Sequence, residues 1–159
     1  MRSSVPASAV LLLFCLICSI SGLAFAKDAG QQALYVGADA CEPCHGDQYA
    51  SFKANSSKAH SWKSLEKMLP KLTPAETRDC YACHTTGYGK PGGFVSLEKT
   101  PALANISCEA CHGPGSIHAE SADAADIRRT PDVKSCVVCH NAERVRNFNF
   151  KPMLYHGGH

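Results

Sequence analysis

One five-residue pattern recurs four times in this chain: CEPCH at 41–45, CYACH at 80–84, CEACH at 108–112 and CVVCH at 136–140. C-x-x-C-H is the attachment pattern of a c-type haem. The spacing has a chemical reason. Two thiols separated by two residues lie on one side of a single turn and can bond to the two vinyl groups of one porphyrin. The next residue then sets its imidazole under the iron as proximal ligand. The pattern assigns Cys41, Cys44, Cys80, Cys83, Cys108, Cys111, Cys136 and Cys139 to four covalent haem c groups. It assigns His45, His84, His112 and His140 to their irons.

Rival uses of cysteine explain less. An eight-cysteine disulfide framework gives no reason for a histidine after every second cysteine. Zinc sites built from C-x-x-C pairs do not ask for that histidine four times over. The chain's other two cysteines, Cys15 and Cys18, lie inside an apolar run with Ser19 after them and behave as small hydrophobes.

That run belongs to an expected signal peptide at 1–26. Arg2 gives a positive start, Ala9 to Ile20 is apolar, and Ala24-Phe25-Ala26 is a small-x-small cleavage site. The run is too short to favour a membrane span. The mature chain is expected to begin at Lys27 and to form one domain, 27–159, in an exported compartment: periplasmic, or extracellular. Removing Arg2 leaves fifteen basic against fourteen acidic side chains, and the haem propionates would add negative charge. No basic run points to nucleic acid. Arg128, Arg129, Arg144 and Arg146 are read as propionate partners or solvated charges.

The motifs begin 39, 28 and 28 residues apart, too little chain for a separate core around each. The porphyrins must themselves form the core, and covalent cofactors staple a small scaffold. The expected fold is mainly α with long irregular loops, a multihaem cytochrome c with very little strand. Thr73-Pro74, Thr100-Pro101 and Thr130-Pro131 read as helix starts, with Glu76 completing a capping box at the first. Further helices are expected over Ser57–Leu69, stopped by Pro70, and over His118–Arg128. Thr85–Pro101, rich in Gly and Pro, reads as a long turn with a small hairpin around Gly92-Gly93.

Four irons have eight axial positions. Outside the motifs the mature chain holds four more histidines, His60, His118, His156 and His159, which points to mostly bis-histidine haems of low potential. Six residues separate His118 from His112, reaching about 20 Å when extended. Crossing a macrocycle to its far face would use nearly all of that, and Gly113-Pro114-Gly115 bends instead. His118 is therefore expected at the iron of a different haem; the alternative is a solvated surface histidine. His60 is the next candidate. In the terminal YHGGH, His156 is preferred over His159, because a terminus frays unless tied down.

The stretches YVGADACEPCH, CHTTGYGKPGGFVS, PALANISCEACHGPGSIHAE and CVVCHNAER resemble the tetrahaem cytochrome c-554 family. The resemblance implies an α-helical fold with stacked and roughly perpendicular haem pairs, and periplasmic electron transfer between redox protein partners. It carries His118 over as a cross-haem ligand and His60 as a further one. It also implies that one haem, here the one on His84, is five-coordinate, which the extra histidines of the tail put in question. Two functions are expected on this basis: an electron carrier, and alternatively a small reductase acting on nitric oxide or hydroxylamine at the open iron. The electron carrier is preferred.

Overall fold

The computed structural model describes residues 30–141. The expected signal segment, Arg144, Arg146, His156 and His159 lie outside the described residues. The chain divides into two compact units, Met1–Gln31 and Gln32–His159, and every described helix belongs to the second.

The described residues form short helices joined by loops, with no strand among them. The α-helices are α1 (Gly46–Asn55), α2 (Ser61–Glu66), α3 (Pro74–His84), α4 (Cys108–His112), α5 (Ser116–Ser121) and α6 (Val133–Val137). Single 3-10 turns lie before the first of these helices and at several of the junctions between them. No helix among the described residues is long and apolar enough to cross a membrane.

Local chemistry explains most boundaries. Helix α3 starts where its capping box puts it: the Thr73 hydroxyl accepts from the Glu76 amide while the Glu76 carboxylate accepts from the Thr73 amide at 2.8 Å. At Thr100-Pro101 the same pair yields only a 3-10 turn, Pro101–Leu103. At Thr130-Pro131 the helix begins later, because Asp132 is the residue whose side chain accepts from the Ser135 amide. The helix expected over Ser57–Leu69 is broken at His60. A 3-10 turn, Ser57–His60, precedes α2, and Pro70 sits inside a second 3-10 turn, Leu69–Lys71, where a missing N–H costs nothing. The helix expected over His118–Arg128 instead starts at Ser116 and ends at Ser121, with Ala122 left-handed at φ 54°.

The Gly- and Pro-rich stretch folds as successive turns rather than a laddered hairpin. The Lys90 amide donates to the Gly87 carbonyl, Gly93 to Lys90, and Phe94 back to Thr86 at 2.9 Å. Gly87 is required here: at φ +69° a Cβ would lie 2.7 Å from the Tyr35 ring. The loop thereby buries Phe94 with Leu103 and Ala104, and Tyr35, Trp62, Tyr81 and Tyr88 pack around them.

That apolar core is thin. The buried hydrophobic residues among those described are Phe52, Ala59, Leu65, Phe94, Leu103, Ala104 and Ile106, and two of these are alanines. A domain of this length ordinarily buries more of its surface than they can supply. Such a scaffold fits large apolar groups packed inside the chain.

Candidate haem-binding site

Each motif is wound as one helical turn, by different means. In the first, the His45 amide donates to the Cys41 carbonyl at 2.9 Å, just after a 3-10 turn at Ala38–Ala40. The second is the last turn of α3. The third is α4 itself, capped by the Ser107 side chain. In the fourth, which continues from α6, the His140 amide donates to the Cys136 carbonyl at 2.9 Å. All eight thiols are free of disulfides.

The fold brings the motifs together in two pairs. The Cys41 and Cys108 thiols stand close enough to perturb each other: the neighbouring thiol pushes Cys41 up and lowers Cys108 to about 7. Cys83 and Cys139 adjoin likewise. Burial, then the Cys83 thiol beside it, pushes Cys139 up to about 12. Motif one lies against motif three, through the Val36 and Gly37 amides on Glu109, and motif two meets motif four, where Cys139 Sγ lies 4.0 Å from the Ala82 carbonyl; α4 of the third motif also packs against α6, which leads into the fourth. Spacing alone gave no warrant for either pairing.

Hydrogen bonds to main-chain carbonyls orient the histidines. Nδ1 of His112 donates to the Arg128 carbonyl at 2.7 Å, and the Arg128 amide donates back to the His112 carbonyl at 3.1 Å. Nδ1 of His84 donates to the Ser61 carbonyl at 3.2 Å, while the Ser61 hydroxyl donates to the His84 carbonyl at 2.8 Å. A carbonyl can only accept, so the proton sits on Nδ1 and Nε2 keeps its lone pair. Burial, aided by the Lys58 charge, holds the His140 imidazole below its usual range, which favours the neutral form that binds metal.

His118 lies beside His45. The two rings are 6.2 Å apart between centres and inclined by 25°. Nδ1 of His118 donates to the Asp123 carbonyl at 2.9 Å, leaving Nε2 free to bind. Gly113, at φ 85°, makes the bend after α4 that sends the chain that way. His60 differs: its Nε2 donates to the Lys53 carbonyl at 2.8 Å, so its lone pair is on Nδ1.

Beside the second motif stands an aromatic cluster. Tyr81, inside CYACH, stacks on Trp62 at 6.0 Å and meets Phe94 edge-on at 5.1 Å. The Trp62 indole N–H is buried with no acceptor among the described residues, an unusual state for a buried donor. It fits a ligand that carries an acceptor to this motif.

Sequence reasoning missed Ser61, Asp123, the Arg128 main chain and Glu109. Three act through main-chain atoms, which residue type does not encode. Glu109 shares its motif position with Glu42, yet Glu42 is exposed and Glu109 is buried; only the fold separates them.

Comparison with known proteins bears on this arrangement. The family described as "Cytochrome c554 and c-prime" matches residues 40–113, a span holding the first three motifs. Cytochrome c-554 of Nitrosomonas europaea is 35% identical over 106 residues, covering 60% of this chain and 43% of that protein. Over these spans the chain is similar to the cytochrome c-554 family. The reduced state of cytochrome c554 from Nitrosomonas europaea superposes with a TM-score of 0.52 at 26% identity, over 78% of this chain and 77% of that one. Less than half of the curated cytochrome c-554 is spanned by the match. The mainly α fold with loops is that of the cytochrome c554 structure, and the cofactor that its eight motif cysteines fit is covalently attached haem c.

Proposed function

We propose that this chain, after loss of residues 1–26, is a periplasmic single-domain cytochrome with four haem c groups that carries electrons between redox partner proteins. The observation that carries this reading is the closeness of the motifs, one against three and four against both two and three. Attachment points that close would hold their haems near one another, which suits passage of electrons and asks for no substrate pocket. When bound, haem c supplies the one-electron chemistry.

Each residue has a distinct role in this reading. The eight motif cysteines anchor the porphyrins, and His45, His84, His112 and His140 hold the irons from one side. His118 holds the iron on His45 from the other. The two ring centres stand 6.2 Å apart, and His118 has Nε2 unprotonated, so the pair would be able to hold a metal ion between them. His60 and His156 are the further distal ligands, and bis-histidine ligation sets low potentials. The carbonyls of Arg128 and Ser61 fix the tautomer and orientation of His112 and His84 and strengthen them as ligands.

A second reading has one observation behind it. Nε2 of His60 is engaged with the Lys53 carbonyl at 2.8 Å, and an iron on His84 without a second histidine would admit nitric oxide or hydroxylamine. One experiment weighs both: haem quantification and ferric EPR of the purified protein, with and without nitric oxide. Four haems per chain, all low-spin and unmoved by nitric oxide, are expected for the carrier. A high-spin signal from about one haem in four, abolished by nitric oxide, would move the reductase to the front.

A further inference from the structure

Glu109 is 2% exposed, yet every hydrogen bond that reaches its carboxylate comes from the main chain. Oε1 accepts from the Val36 amide at 3.0 Å and the Gly115 amide at 2.8 Å; Oε2 accepts from Gly37 at 2.8 Å and Val36 at 3.2 Å. All four contacts come from N–H donors, the partners a carboxylate takes. Burying such a charge is costly unless it is hydrogen-bonded, and here three amides are committed to it.

Their positions in the chain give the arrangement its meaning. Val36 and Gly37 lead into the turn that carries Cys41 and His45. Gly115 is the N-cap of α5, three residues before His118. A second link runs beside the first, with the Leu34 amide donating to the Ser116 hydroxyl at 2.9 Å and the Ser116 amide to the Leu34 carbonyl at 3.1 Å. One carboxylate thus pins both segments that end on the two facing imidazoles, and it does so from inside a third motif.

We propose that Glu109 is a positioning residue for the His45–His118 pair, and that its buried charge biases the iron held between them towards the ferric state. The proposal rests on the four-haem function proposed for the chain. The first half comes from the hydrogen bonds. The second comes from Coulomb's law: a fixed anion in a low-dielectric interior stabilises the more positive of two oxidation states.

The test is a spectroelectrochemical titration with ferric EPR on the full holoprotein, comparing wild type, Glu109→Gln and Gly115→Ala. Glu109→Gln removes the charge and part of the clasp. Gly115→Ala keeps the charge and crowds the carboxylate, because the new Cβ would lie 3.2 Å from Oε1. We expect Glu109→Gln to raise the potential of about one haem in four and to shift its low-spin signal. We expect Gly115→Ala to shift that signal with a smaller change in potential. Unchanged potentials and signals in Glu109→Gln would overturn the proposal. If that variant does not accumulate with its haems, Gly115→Ala decides, and an unaltered low-spin signal there sinks it. A wild type without four low-spin haems would instead sink the reading beneath; a wild type that behaves while the variants match it sinks only the role of Glu109.

Discussion

The two motif pairs are built differently. Around motifs one and three, the chain is held by polar contacts between segments far apart in sequence. The Glu109 carboxylate, the Leu34–Ser116 pair and the Asp123 carbonyl place His118 opposite His45. Around motif two, the holding is done by rings: Trp62, Tyr81, Tyr88 and Phe94 pack together, and Ser61 hydrogen-bonds the histidine at both its carbonyl and its Nδ1. Hydrogen bonds are directional and set a distance between two ligands. Aromatic packing fills volume and leaves direction looser. The first pair is suited to fixing both axial positions of an iron, the second to surrounding one.

The sharpest break of this contrast is His118→Ala. It should turn about one haem in four from low-spin to high-spin and open that iron to carbon monoxide or nitric oxide, while the other haems keep their spectra. EPR and visible difference spectra read this directly, and a spectrum still wholly low-spin would remove His118 from the ligand set. On the aromatic side the largest effect should be on stability. Phe94 is 2% exposed, and Phe94→Ala should cost about 3–5 kcal/mol in guanidinium unfolding. If the ferric spectrum of motif one moves as well, the two regions are less independent than their contacts suggest.

The cofactor chemistry was legible because covalent attachment demands fixed residue types at a fixed spacing. So was the α3 start, where Thr73, Pro74 and Glu76 are read locally. What failed was whatever depends on distant partners. Thr130-Pro131 has the same start signal, but Asp132 caps better in place. The apolar pattern over Ser57–Leu69 reads as one helix, whereas the His60 bond to Lys53 and the Ser61 bonds to His84 and Ile106 bend it in the middle. The Glu42–Glu109 difference was invisible for the same reason, since identical motif positions acquire opposite burial only once segment 34–37 is laid across the third motif. The pairing of motifs was also beyond the sequence, because spacing along the chain does not order them in space.

A smaller effect is expected at Ser61. Its hydroxyl donates to the His84 carbonyl and accepts from the Ile106 amide at 3.0 Å. Ser61→Ala should cost about 1–3 kcal/mol for the groups left unpaired, and should move the EPR signal of the His84 iron more than that of the His45 iron. Equal shifts at both irons would mean that Ser61 acts on the whole fold and not as the directional contact of the second pair.

The smallest effect tests whether the second region takes anything from electrostatics. Glu76 caps α3, the helix that ends in CYACH, and bonds from Thr73 lower its carboxyl below the ordinary 4.5. A carboxyl lowered on folding adds stability that is present above its unfolded value and is lost as pH falls through the folded one. Glu76→Gln keeps an acceptor for the Thr73 amide and removes only the charge near the helix N-terminus. Wild type should therefore melt slightly above the variant at neutral pH, and the gap should close as pH drops below 4.5. A gap that persists in acid would assign the effect to hydrogen-bond geometry, and would leave charge as a device of the Glu109 side alone.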